Sequence, residues 1–142
     1  MQTTTDTYAA RLAEALPRVH DRIAGAAEAA GRPQESIRLI AVTKTHPIEA
    51  VEAALSFGLV DLGENRVEEL EAKVGHFGVA AARWHMIGHL QTRKSARAAA
   101  VSDLIHSVDS LRLAEKISRS ASDAGRTVAV LAQVNTSGED SK

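Results

Sequence analysis

Ile37-Arg38-Leu39-Ile40-Ala41-Val42-Thr43-Lys44 is an apolar run closed by a lysine, and Pro47 then opens an amphipathic helix through Ile48, Val51 and Leu55 that stops at Gly58. A short apolar run followed by such a start signal reads as a buried strand and its helix. The same alternation continues along the chain. Residues 59–62 run as a strand into Gly63-Glu64-Asn65, and Asn65 with Glu68 resembles a capping box ahead of the stripe Val67, Leu70, Val74. Residues 84–87 form a third strand, which passes through Gly88-His89-Leu90-Gln91 to a helix carrying Lys94, Arg97 and Val101. Residues 104–108 are a fourth strand, and Asp109 or Ser110 can cap the next helix, whose stripe is Leu111, Ala114, Ile117 and Ala121 before Gly125. Residues 128–134 make a fifth strand, apolar enough to be covered on both faces. Ahead of all these, residues 7–30 carry the stripe Leu12, Leu16, Val19, Ile23 and stop at Gly31, with Pro17 expected to kink or divide the helix.

A leading helix, about five strands and four intervening helices predict an α/β fold with a parallel sheet. Two closures remain open on pattern alone: an open doubly wound sheet, or part of a TIM-type (β/α) barrel. No dinucleotide glycine motif or Walker loop stands at any strand-helix turn, which weakens the first. The chain has 142 residues, enough for a single domain, a formal charge of −1 and no cysteine. These values give no electrostatic case for nucleic acid, and they exclude disulfides and thiol catalysis. No apolar run reaches a membrane span and the first residues lack a secretory pattern, so no membrane partner and a cytoplasmic location are expected.

The polar residues gather at the carboxyl ends of the strands, where ligands bind in α/β proteins. Lys44 ends the first, Glu64 and Asn65 the second, His85 to His89 the third, His106 to Asp109 the fourth, and Asn135 to Ser137 the fifth. Lys44 carries the sharpest chemistry. A partly buried lysine there can lose its proton and condense with an aldehyde, and pyridoxal 5'-phosphate is the usual aldehyde cofactor. A lysine that merely snorkels into solvent is the plain alternative. Asn65 can equally be a helix cap, and His85 or His106 an interior histidine with a hydrogen-bond partner. His85 and His89 sit on a strand and its loop, so no zinc-protease geometry arises and no metal is expected. Tyr8 reads as lying in the leading helix, away from this rim.

Ala41-Val42-Thr43-Lys44-Thr45, Gly63-Glu64-Asn65, Trp84-His85-Met86-Ile87-Gly88-His89-Leu90-Gln91 and Val134-Asn135-Thr136-Ser137-Gly138-Glu139-Asp140-Ser141-Lys142 follow in the order and spacing of one family. The chain resembles the pyridoxal phosphate homeostasis proteins, whose barrel is similar to the amino-terminal domain of alanine racemase. The resemblance implies a TIM-type barrel and pyridoxal 5'-phosphate held as a Schiff base on Lys44. It further implies that Asn65 reaches towards the cofactor, that His85 and Met86 form the third-strand wall, and that Lys142 is a second lysine near the pocket. It implies a cofactor-handling role without established turnover, with no catalytic residue, and pyridoxal-phosphate-dependent apoenzymes as recipients. A racemase-like enzyme using the same imine is the alternative.

Arg66 stands where many relatives have an aromatic residue, His46 where they have a basic or small one, and His89 where they usually have proline. Family members continue through further strands, whose loops hold the cofactor phosphate, so the chain is expected to be the amino-terminal part of the barrel. Leu39, Ala41, Val128 and Val130 should then lie on strands with open edges.

Overall fold

The structure, a computed structural model, describes residues 4–138. The chain divides into two compact units, one ending at Leu62 and the other beginning at Gly63.

The first unit opens with helix α1, Thr4–Ala29, followed by a 3-10 turn at Gln34–Ser36, strand β1 (Ala41–Val42), helix α2 (Ile48–Ser56) and the start of strand β2 (Asp61–Glu64). Helix α1 passes through Pro17 as one assigned element, so the expected division does not occur. Both helices stop as the glycines foretold. Gly31 adopts φ +61° and Gly58 φ +74°, which turns the Arg32 amide back to Ala27 O at 2.9 Å and the Leu59 amide to Ala54 O at 3.0 Å. Such left-handed closures satisfy carbonyls that the helix end would otherwise leave open. Pro47 is the N-cap of α2 rather than its first helical residue, and Ala50, Val51, Ala53 and Ala54 are the buried side. Strand β1 is much shorter than the apolar run. The Ile37 amide is bonded to Gln34 O within the 3-10 turn, and the ladder begins only at Ala41.

The second unit holds the end of β2 and then α3 (Val67–Phe77), β3 (Arg83–Met86), a 3-10 turn at Thr92–Lys94, α4 (Ser95–Val101), β4 (Leu104–Val108), α5 (Leu111–Asp123) and β5 (Ala129–Ala132). The strands lie side by side in chain order, β3 parallel to β4 and β4 parallel to β5. Val67, Leu70 and Val74 of α3 are buried as their spacing predicts, and the large fully buried side chains include Trp84, Met86, Leu90 and Ile105. Helix α5 buries Leu113, Ile117 and Ala121, while Leu111 is 75% exposed. Ser110, not Asp109, is the cap, its Oγ accepting from the Leu113 amide at 3.3 Å. Leu111 falls in the first turn, two residues before Leu113 and so off the buried stripe.

Two further expectations fail here. Asn65 is not a helix cap: Arg66 is the N-cap of α3, in extended backbone and without a side-chain capping bond. Strand β5 is not covered on both faces, since all its residues are exposed and Val130 and Leu131 keep 44% and 48% of their surface. It stands last in the sheet order, with β4 as its only neighbour among the described residues. Among the described residues, alternating helices and parallel strands, five of each, match an incomplete TIM-type topology. No helix of the described residues is long and apolar enough to cross a membrane.

Candidate functional site

In the first unit, Lys44 follows the end of β1 and occupies a tight turn. The His46 amide donates to Thr43 O at 3.1 Å, which places Lys44 and Thr45 at the centre of the turn. Lys44 is exposed, contrary to the partial burial expected of it. The strand ends two residues before it, at Val42. Thr45 has φ +61°, the one non-glycine residue in the left-handed region among the described residues. Its Oγ1 donates to the Lys44 carbonyl at 2.6 Å. Tyr8 is not remote from this loop. Its Oη lies 3.0 Å from His46 Nδ1, with the rings edge-to-face at a centroid distance of 5.6 Å.

In the second unit, the ends of β2, β3 and β4 are stitched together around Gly88. The Ile87 amide donates to Glu64 O at 2.9 Å, and Ser107 Oγ donates to Gly88 O at 2.6 Å. A Cβ on residue 88 would overlap the Asn65 carbonyl oxygen and stand 2.8 Å from the Asn65 Cα. Only glycine allows that approach. The backbone after β2 is thereby held against the backbone after β3.

Met86 and Asn65 line one cleft of about 210 Å³ together with Arg66, Glu68, His89, Leu90 and Lys94. His85 takes another direction. Side chains alternate along a strand, and Met86 pairs in register with Ile105 while His85 meets His106, Nδ1 to Nε2, at 2.9 Å. His85 and Met86 therefore face opposite sides of β3 and do not form one wall, as the resemblance implied they would. Both are fully buried. Burial, and after it the charge of His85, hold the His106 imidazole below the usual histidine range. Which ring nitrogen of the pair donates follows from the tautomers the two imidazoles adopt.

Charge is organised around the same loops. Lys94 Nζ reaches Glu68 Oε1 at 2.8 Å, and Arg97 pairs with Glu68 and Glu71. The Lys94 hydrogen bond, then a backbone amide and the charges of Lys94 and Arg97 hold the Glu68 carboxyl at about 2. Lys94 and Arg97 are both members of this network. His89 Nδ1 stands 3.6 Å from Asp109 Oδ2. Beneath the rim, Lys73 Nζ meets Glu64 Oε1 at 2.6 Å with both residues buried. The sequence did carry a signal for that pair, because Lys73 falls on the stripe of Leu70 and Val74. Lys142 lies outside the described residues.

Residues 15–139 match the family described as the alanine racemase N-terminal domain. The chain is 40% identical over 134 residues to the pyridoxal phosphate homeostasis protein of Escherichia coli (strain K12), covering 92% of this chain and 57% of that one. Among solved structures it is similar to an unknown protein from Bifidobacterium adolescentis, with 43% identity and a TM-score of 0.84 over 100% of this chain and 62% of that one. It is also similar to PipY of Synechococcus elongatus PCC7942, solved with pyridoxal phosphate bound, at 36% identity and a TM-score of 0.71 over 82% of this chain and 56% of PipY. The chain thus spans somewhat over half the length of the relatives it matches. It carries the alanine racemase amino-terminal domain and belongs to the family of pyridoxal phosphate homeostasis proteins.

Proposed function

We propose that the chain binds pyridoxal 5'-phosphate as part of the handling of that cofactor, and that Lys44 holds it as a Schiff base. The observation that carries the reading is the Lys44 turn. It offers an exposed primary amine at the carboxyl end of a strand, within the segment matched to the family. An amine of that kind fits the group, since an aldehyde cofactor supplies an electrophilic carbon that condenses with a neutral primary amine as water leaves. Asn65 and Met86 share one cleft and are the residues proposed to contact the cofactor ring. His85 is proposed to act on the site through its bond to His106. Support for a handling role comes from relatives named for homeostasis of the cofactor rather than for a reaction.

Lys44→Arg keeps the charge but abolishes the condensable amine. The variant is expected to lose visible absorbance with pyridoxal phosphate, and absorbance that survives would move the assignment to another lysine. The racemase reading has gained one observation, the placement of Tyr8 beside the Lys44 loop. Two-base racemisation needs an acid-base group on each face of a planar intermediate. Incubation with L-amino acids in deuterated buffer separates the two. Exchange at the α-carbon at catalytic rates would establish the enzyme and overturn the handling role.

A further inference from the structure

We propose that Tyr8 and His46 form a clamp that holds the Lys44 turn in its strained shape and so positions the Lys44 amine. The proposal rests on the reading of Lys44 as the cofactor lysine. A four-residue turn with positive φ at its third position ordinarily takes glycine or asparagine there. This turn has Thr45, at φ +61°. A β-branched side chain in that region crowds its own backbone, and such a conformation persists only where its surroundings over-determine it.

The surroundings on this loop can be named. Within the turn, the His46 amide closes on Thr43 O and Thr45 Oγ1 closes on Lys44 O. Those bonds lie within the turn. A restraint from outside it comes from α1. Tyr8 Oη meets His46 Nδ1 at 3.0 Å, and one turn earlier Thr5 Oγ1 donates to Glu52 Oε2 of α2 at 3.0 Å. The start of α1 is therefore strapped at two points, to the residue that closes the lysine turn and to the helix that follows it. Tyr8 is the only tyrosine of the chain.

Orientation is what such a clamp supplies. Lysine is long and flexible, so the direction of its Cα–Cβ bond governs how often the amine meets a bound aldehyde, and effective concentration falls when that direction wanders. Tyr8 and His46 are positioning residues in this scheme, and neither touches the reacting atoms.

The test is a cycle of variants in the purified protein: Tyr8→Phe, Thr45→Gly and the two combined. Glycine takes positive φ without strain, so a turn with glycine at 45 needs no clamp. Tyr8→Phe is expected to slow imine formation with added pyridoxal phosphate by roughly five- to tenfold, the scale of one lost hydrogen bond. On the Thr45→Gly background the same substitution is expected to change the rate by less than about twofold, within the error of independent sites. Trace acetylation of Lys44 without cofactor, mapped by peptide mass, should follow the same pattern. Equal slowing on both backgrounds, or none on the natural one, would overturn the clamp. If pyridoxal phosphate fails to form an imine on Lys44 in the natural protein, the reading of Lys44 falls. The acetylation pattern then decides the clamp by itself: slower labelling confined to the threonine background upholds it, and unchanged labelling overturns it. Circular dichroism of each variant separates loss of the clamp from loss of the fold.

Discussion

Replacing Lys73 with methionine removes a charge from the interior while keeping an unbranched chain of similar length. Lys73 and Glu64 are 5% and 0% exposed and their Nζ and Oε1 atoms are 2.6 Å apart. A carboxylate that deep cannot turn to bulk water when its cation is gone. Breaking a buried pair by removing one partner costs about 3–5 kcal/mol, a large share of the roughly 5–15 kcal/mol that holds a domain together. With a urea dependence of about 1–3 kcal/mol/M, the midpoint of unfolding should fall by at least about 1 M. A control separates the buried charge from lost packing. The double variant Glu64→Leu, Lys73→Met should recover most of the loss, because an apolar replacement of a whole pair is often neutral or better. A midpoint for Lys73→Met within about 0.3 M of the natural one, below the effect of even a modest core change, would refute the reasoning.

Gly88→Ala should destabilise by about 1–3 kcal/mol or more, because the Asn65 backbone must retreat from the new Cβ, and chemical denaturation reads the loss directly. Stability should also fall on acidification in two windows. The His106 imidazole is held below its usual range, so its contribution is present above about 6.5, the unfolded histidine value, and is lost as pH falls through the lower folded value. His106→Gln should flatten that first window in a thermal-unfolding series. Glu68 is held at about 2, so its smaller, solvent-screened contribution is present above the unfolded carboxylate value and is lost as pH drops towards 2. High salt should suppress this second loss, and a salt-independent profile would contradict it.

The helices were legible where period and punctuation agreed. Val67, Leu70 and Val74 are buried as spaced, and Gly31 and Gly58 end their helices with positive φ. Leu111 and Asn65 were both misread at helix starts: Leu111 stands two places before Leu113 and so off the face of Leu113, Ile117 and Ala121, and Arg66 rather than Asn65 holds the N-cap of α3. The apolar run at Ile37 looked like a long strand because pattern reports burial, whereas a strand also needs a neighbour to bond along its length. The split of His85 from Met86 was available in principle, since adjacent strand residues cannot share a face. The Tyr8–His46 contact was not. It joins residues 38 apart through the packing of α1 beside α2, which no local pattern encodes.

Borohydride reduction after incubation with pyridoxal phosphate fixes an imine as a stable secondary amine, and peptide mass mapping then names the lysine. The Lys44 assignment predicts one phosphopyridoxyl group per chain, on the peptide containing Thr43-Lys44-Thr45, and its disappearance in Lys44→Arg. Label spread over surface lysines such as Lys116, or concentrated on Lys142 with Lys44 unmodified, would contradict it.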